Sequence, residues 1–479
     1  MSDPRSFYWH DYETWGAEPA VDRPAQFAGL RTDLDFHPIG EPLVVYARPA
    51  DDFLPQPEAC LITGITPQLA RDKGAPEADF FRFIHDELAR PGTCALGYNS
   101  MRFDDEVTRY GLYRNFYDPY AREWQNGNSR WDMIDVVRLT RALRPEGIEW
   151  PDKEPGVTSF RLEDLTAANG IEHSGAHDAL ADVRATIAIA RLIRERQPKL
   201  FDFALHNRDR QRLATQLNVR AGAPVLHVSA RYPARLGCIA AVLPLAQHPT
   251  NRNGVIVYDL RTDPTPLLQL SVEEIRARLF VAGADLADGV ERIPLKVVHV
   301  NRAPVIVPMG TLTEEARERW RMDAADEQRH LEALRAAPGL AAKVAEVFAA
   351  AEAFPVQSDP DRDLYGGFLS DADRRRCDQV RRTPPDELAE LRLGFDAPKL
   401  EELLFRYRAR NWPEMLNRDE RLRWEEFRRE RLTRPGAGAS IVLDDYRREL
   451  SRLAVDLSLT PAQRAVVDAL LDWPAELGL

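Results

Sequence analysis

Apolar residues over the first 190 or so positions come in two rhythms. Short continuous runs at 7–9, 43–47 and 94–96 read as strands, whereas 79–88 and 179–193 space their apolar side chains as amphipathic helices do. Strands alternating with helices predict an α/β domain. A polar, basic helical stretch at 206–216 follows, and then runs at 225–228, 239–242, 255–258 and 296–300 predict a small β-barrel. From 313 to 353 the pattern turns helical and Ala-rich. Phe354-Pro-Val-Gln-Ser-Asp-Pro-Asp-Arg-Asp363 reads as a linker, and the remainder is mostly helical and dense in Arg and Glu. Three regions are predicted, 1–195, 196–353 and 358–479.

Length agrees with this division, because a chain of 479 residues exceeds what one core of about 250 to 300 residues can hold. An apolar content of 44%, a charged content of 29% and a mean hydropathy of -0.42 place it among ordinary globular proteins. No run approaches the roughly 18 apolar residues of a transmembrane helix. Met-Ser-Asp-Pro-Arg-Ser offers no basic n-region, and the four cysteines (Cys60, Cys94, Cys238, Cys377) form no CxxC pair. A reducing, cytoplasmic setting without membrane contact is expected. The formal charge of -12 alone argues against a nucleic-acid partner. Only six of the 64 basic residues are lysine, however, and guanidinium pairs bidentately with phosphate; a codon bias towards Arg explains the same count.

Three acidic clusters carry candidate chemistry. His10-Asp11-Tyr12-Glu13-Thr14 follows the first strand, where positions i and i+2 share a face, so Asp11 and Glu13 present two hard oxygen ligands together. Gly97-Tyr-Asn-Ser-Met-Arg-Phe-Asp104-Asp105 joins a strand to a helix starting near Phe103, and either Asp could instead cap that helix. His177-Asp-Ala-Leu-Ala-Asp182 opens the helix at 179–193. Five helical steps put His177 and Asp182 about 140° apart, so both reach one site only if His177 sits on a flexible first turn. A neutral imidazole there can take a proton from water. Singly, the first and third clusters also fit a solvated surface.

In order and residue type these clusters resemble the three motifs of the DEDD exonuclease superfamily, His subclass. The segments Trp150-Pro, Ser159-Phe-Arg-Leu-Glu-Asp-Leu, Ala168-Asn-Gly-Ile-Glu-His, Pro244-Leu-Ala-Gln-His-Pro-Thr-Asn-Arg-Asn, Leu364-Tyr-Gly-Gly-Phe-Leu-Ser-Asp-Ala-Asp and Leu404-Phe-Arg-Tyr-Arg-Ala-Arg-Asn-Trp-Pro are similar, over almost the whole chain, to the bacterial exodeoxyribonuclease I family. The resemblance implies an α/β RNase H-like exonuclease domain, an SH3-like β-barrel and a mostly α-helical C-terminal domain enclosing one DNA strand. It implies 3′→5′ digestion of single-stranded DNA to 5′-mononucleotides, in DNA repair and recombination, by two-metal hydrolysis. Asp11, Glu13, Asp104 and Asp182 would hold two Mg²⁺ ions, with Mn²⁺ as substitute, Glu13 would also touch substrate, and His177 would deprotonate water. The acidic tail of the single-strand DNA-binding protein is the implied partner, and a monomer the implied state. Residues 230–237 and the extreme C-terminus depart from the family pattern.

A single-strand channel needs cations for phosphate and aromatic faces for bases. Arg161, inside a matching segment, is the leading phosphate contact. Arg109, Tyr120, Trp124 and Arg138 are further candidates, which core or surface packing would equally explain. Tyr365, Arg406, Arg408 and Arg410 rank lower, since an alternating Arg run usually marks a solvated face. An RNA 3′ exonuclease and a catalytically silent DNA-binding protein are the rival readings; the second and third regions count against the former, the complete acidic set against the latter.

Overall fold

The apolar run at 7–9 extends into a nine-residue strand, β1 (Ser6–Thr14). Both its faces find partners: Phe7 and Trp9 meet Phe36, while Tyr8 and Tyr12 join a core with Phe27, Phe80 and Phe81. The computed structural model describes residues 4–173, 175, 178–281, 285–349 and 357–479, folded as two compact units. One comprises Ser2–Ser129, His173–Ile187 and Phe354–Leu479; the other comprises Arg130–Glu172 and Ala188–Ala353.

In the first unit β1 lies between β2 (Pro24–Thr32), antiparallel to it, and β4 (Thr93–Gly97), parallel to it, with β3 (Leu43–Tyr46) beyond β2. The helices Glu77–Leu88 and Asp104–Arg114 cover the Tyr8–Tyr12 face through Phe80, Phe81, Ile84, Val107 and Leu112. β2 went unread in the sequence because Pro24, Gly29 and Arg31 are poor strand formers. It is nonetheless buried throughout, since tertiary burial outweighs intrinsic preference.

The helical C-terminal region belongs to the same unit. Leu432, Tyr446, Leu450, Leu470 and Trp473 pack on Trp15, Phe53, Leu54 and Cys60, and a second core joins Leu403 and Tyr407 to Tyr113 and Phe116. Between these cores runs a buried ion network. Arg410 binds Asp361 at 2.5 Å and Asp52 at 2.8 Å, Arg406 binds Asp361 at 2.8 Å and Asp359 at 2.6 Å, and Arg431 reaches Asp359 at 3.2 Å. Close by, Glu77 accepts from Arg23 at 2.5 Å and Arg114 at 3.1 Å. Burial pushes the Asp52 carboxyl up, but Arg410, Arg23 and Arg431 outweigh burial and hold it well below the usual range.

Two expectations are corrected here. The segment 354–363 is not simply a linker: residues 354–356 lie outside the described residues, but Asp359 and Asp361 are network anchors, Asp361 being 2% exposed. Arg406, Arg408 and Arg410 do not form a solvated face and do not present free guanidinium to a strand. On the helix Lys399–Asn411, Arg406 and Arg410 are four residues apart and meet the same Asp361, while Arg408 forms a bidentate pair with Glu420.

In the second unit five antiparallel strands follow the order Leu295–His299, Gly254–Asp259, Ile239–Gln247, Val225–Val228, Val305–Pro308. Val225, Ala240, Val242, Val255, Val257, Val298 and Ile306 form their core, closed by Leu213 and Leu217 from the helix Arg210–Gln216 and the residue after it.

Removing Asp361 leaves buried guanidinium short of charge. Asp361→Ala should therefore lose about 3–5 kcal/mol in urea unfolding, the usual cost of breaking a buried pair. A loss below about 1 kcal/mol would mean that Asp52 and Asp359 satisfy Arg410 and Arg406 without it.

Candidate metal centre

Asp11 and Glu13 project from one face of β1, with Glu13 buried and Asp11 half-buried; Asp182 comes from the first turn of the helix Ala179–Arg196. One oxygen from each of the three carboxylates can be chosen such that all lie within 4.8 Å of one another, close enough for a shared cation. Hard carboxylate oxygens without soft donors suit a divalent ion such as Mg²⁺ or Mn²⁺.

Local contacts explain the convergence. The Tyr12 backbone N–H, between the two β1 carboxylates, donates to Asp104 Oδ1 at 3.1 Å, and the Tyr12 hydroxyl meets Thr108 Oγ1 at 2.9 Å one turn further along the Asp104–Arg114 helix. Asp104 is thus tied to β1 and is no helix cap, since Phe103 occupies that position. Asp105, its neighbour, instead accepts from buried Arg122 at 2.6 Å. The turn before them is tight: a Cβ on Gly97 would stand 2.5 Å from the His10 carbonyl oxygen. Opposite Glu13 in the β1–β2 register sits Gln26, whose Oε1 accepts from the Ala179 N–H at 3.4 Å and so links the sheet to the helix bearing Asp182.

Burial and crowding shift these carboxyls. Burial, then Asp182, Asp104 and Asp178, push the Glu13 carboxyl up to about 9. Burial, then Asp104, Glu13, Asp182 and Asp178, hold Asp11 well above the usual carboxylate range. Asp178 was not singled out in the sequence, although it stands inside the quoted motif. It caps its helix through the Ala181 N–H at 3.1 Å and adds to this field. His10 is no base: burial lowers it to about 4, and its ring stacks on Phe27.

The proposed base, His177, lies outside the described residues. A different histidine, His173, has its Nε2 2.5 Å from Asp182 Oδ1. It stood in the sequence within Gly-Ile-Glu-His173, noted only as part of a family segment. Of the strand-contact candidates in this unit, Trp124 is 64% exposed, Tyr120 half-buried, and Arg109 buried between Glu106 and Glu123 and over the Tyr120 ring. Arg161 and Arg138 belong to the other unit; Arg161 is exposed and paired with Glu163, Arg138 buried and paired with Asp135.

Residues 8–190 match the family model described as Exonuclease, 208–350 the Exonuclease I SH3-like domain, and 358–477 the Exonuclease I C-terminal domain. Exodeoxyribonuclease I of Escherichia coli (strain K12) is 48% identical over 98% of each chain. This chain belongs to the exodeoxyribonuclease I family. The structure of Exonuclease I from Methylocaldum szegediense is 53% identical, with a TM-score of 0.95 over 98% of this chain and 99% of that one. The zinc-bound form of the Escherichia coli enzyme with single-stranded DNA is 47% identical, with a TM-score of 0.94 over the full length of both. The chain is a 3′→5′ exonuclease of single-stranded DNA. Its RNase H-like, SH3-like and helical domains follow in the expected order.

The raised Glu13 carboxyl fixes a sign. Between its ordinary value near 4.5 and about 9 the folded protein binds more protons than the unfolded chain, so stability without metal should fall as pH rises through that window. A divalent cation should restore it, by an increment that grows with pH. Thermal melting with EDTA or Mn²⁺ between pH 5.5 and 9, with Glu13→Gln as control, checks this; in Glu13→Gln the pH slope should be shallower.

Proposed function

We propose that this exonuclease removes 5′-mononucleotides by hydrolysis with two divalent cations, Mg²⁺ in the cell and Mn²⁺ as a substitute. Asp11, Glu13, Asp104 and Asp182 would hold them. The observation that carries the reading is the approach of Asp11, Glu13 and Asp182 to within 4.8 Å, with Asp104 tied to the same strand. Cations held there supply Lewis acidity towards water and offset charge on the scissile phosphate and the leaving 3′ oxygen. The chain's own work is to position. β1 and two helix starts fix the carboxylates, the paired-up core behind them keeps the strand from yielding, and His177 accepts the proton that water loses.

Substrate contacts follow from exposure. Trp124 offers a face to a base, and Glu13 stands at the cluster where the terminal nucleotide must lie. Arg161 is exposed enough to exchange Glu163 for phosphate, whereas Arg109, over the Tyr120 ring, and Arg138 are already neutralised by buried or half-buried carboxylates and would contact the strand less readily. The domain limits that fit this division are 1–195, 196–353 and 358–479. A monomer acting in the cytoplasm, in repair and recombination, would bind the acidic tail of the single-strand DNA-binding protein. A cleft of about 460 Å³ in the second unit, lined by Phe203, Arg212 and also Asp202, with Arg210 exposed beside it, is the candidate place for that tail.

End-labelled single-stranded DNA, duplex DNA and RNA, each with Mg²⁺ or EDTA, test the reading; release of mononucleotides from the 3′ end of single-stranded DNA alone, and only with Mg²⁺, is expected. Asp182→Ala should fall below roughly a tenth of the wild-type rate while still binding the strand in Ca²⁺, since a lost ligand costs several kcal/mol of transition-state stabilisation. Equal trimming of RNA would replace the DNA reading.

Arg161→Ala should weaken strand binding and flatten the slope of log K against log[salt] by about 0.7, the share of one phosphate on a single strand. Titration in Ca²⁺ over a salt series measures it, and an unchanged slope would remove Arg161 from the interface.

A further inference from the structure

His173 lies in the segment leading to the helix Ala179–Arg196. Its side chain is 6% exposed, and its Nε2 stands 2.5 Å from Asp182 Oδ1. An ionised carboxylate only accepts, so the imidazole donates, and the hydrogen bond is charge-assisted. Resting on the reading of the acidic cluster as a divalent-cation site, we propose that His173 is a positioning residue. It holds Asp182 by one carboxylate oxygen and so sets the direction in which Asp182 faces a cation shared with Asp11 and Glu13.

The need for such a contact follows from the geometry. The Asp182 N–H is bonded to the Asp178 carbonyl at 3.1 Å, and the Thr186 hydroxyl donates to the Asp182 carbonyl at 2.8 Å, so its backbone is set by the helix. Neither bond fixes the terminal carboxylate torsion, which is broad and roughly two-fold. Rotation about it would carry the Asp182 oxygen out of the 4.8 Å cluster with Asp11 and Glu13. A donor on Oδ1, enclosed so that water does not displace it, opposes the rotation. Partners of this kind behind a metal ligand commonly govern metal affinity by 10- to 100-fold. The two histidines of His173-Ser-Gly-Ala-His177 then divide the work, His173 aligning a ligand and His177 remaining for water.

Mn²⁺ binding to the full-length protein without DNA, measured by titration calorimetry, is the test. His173→Ala should weaken Mn²⁺ by about 10- to 100-fold while melting cooperatively in EDTA, and kcat should recover towards wild type when Mn²⁺ exceeds the weakened Kd. His173→Gln, whose amide N–H reaches a place near that of Nε2, should regain most of the affinity. If His173→Ala fails to melt cooperatively, His173→Leu, which keeps bulk without the donor, takes its place. Wild-type Mn²⁺ affinity in the variant lacking the donor, or a His173→Gln as weak as that variant, would overturn the proposal. Failure of the underlying reading looks different: wild type itself would then take up no Mn²⁺, and the proposal would fall with it.

Discussion

Repulsion among carboxylates crowded to within 4.8 Å is the constraint around which this molecule is organised. Alternation along a strand brings Asp11 and Glu13 to one face at no conformational cost, but it cannot recruit Asp182 or Asp104 from elsewhere in the chain. That recruitment uses neutral groups. The Tyr12 N–H takes Asp104, and Gln26 takes the amide that opens the Asp182 helix. Among the described residues no arginine bonds Asp11 or Glu13, and a guanidinium there would quench the charge a cation has to find. Buried Arg122 is spent on Asp105, the neighbour of Asp104.

A strained site needs rigid backing. Behind β1, the aromatic layer of Tyr8, Tyr12, Phe27, Phe80 and Phe81 resists displacement of the strand. Further out, the network of Asp52, Asp361, Arg23, Arg406, Arg410 and Arg431 ties the region after residue 357 to the segments that follow β1 and β3. Buried ion pairs contribute little net stability compared with apolar packing, yet removing one partner is costly, so such a network favours one docked arrangement over near alternatives. Here it lies between two apolar cores, which supply the area while the charges supply the register.

What the sequence revealed depended on how local each signal was. Asp11 with Glu13, the strand at β1 and the helix bearing Asp182 are set within a few residues and were legible. Arg410 was not, because its partner Asp52 is 358 residues away, and an Arg run without visible acids looks solvated. Asp359 and Asp361 were hidden for the same reason, in a stretch whose prolines suggested a linker. The histidines illustrate a finer limit. His173 and His177 stand four residues apart ahead of one helix, and nothing in their spacing shows that the His173 ring reaches Asp182.

The arginine-rich composition also changes meaning. As a total it left phosphate contacts and a codon bias equally open, but the structure commits Arg109, Arg138, Arg406, Arg408 and Arg410 to carboxylates at buried or nearly buried positions. Withdrawing such a guanidinium for a passing strand would expose its acidic partner to the cost of unpaired burial at every step. Arg161 faces no such cost. Its partner Glu163 is two residues away at the surface, where an ion pair contributes little and a phosphate can replace the carboxylate readily. An enzyme that moves along a strand needs contacts that exchange quickly, and an exposed, weakly held guanidinium meets that need better than a buried one held at fixed geometry.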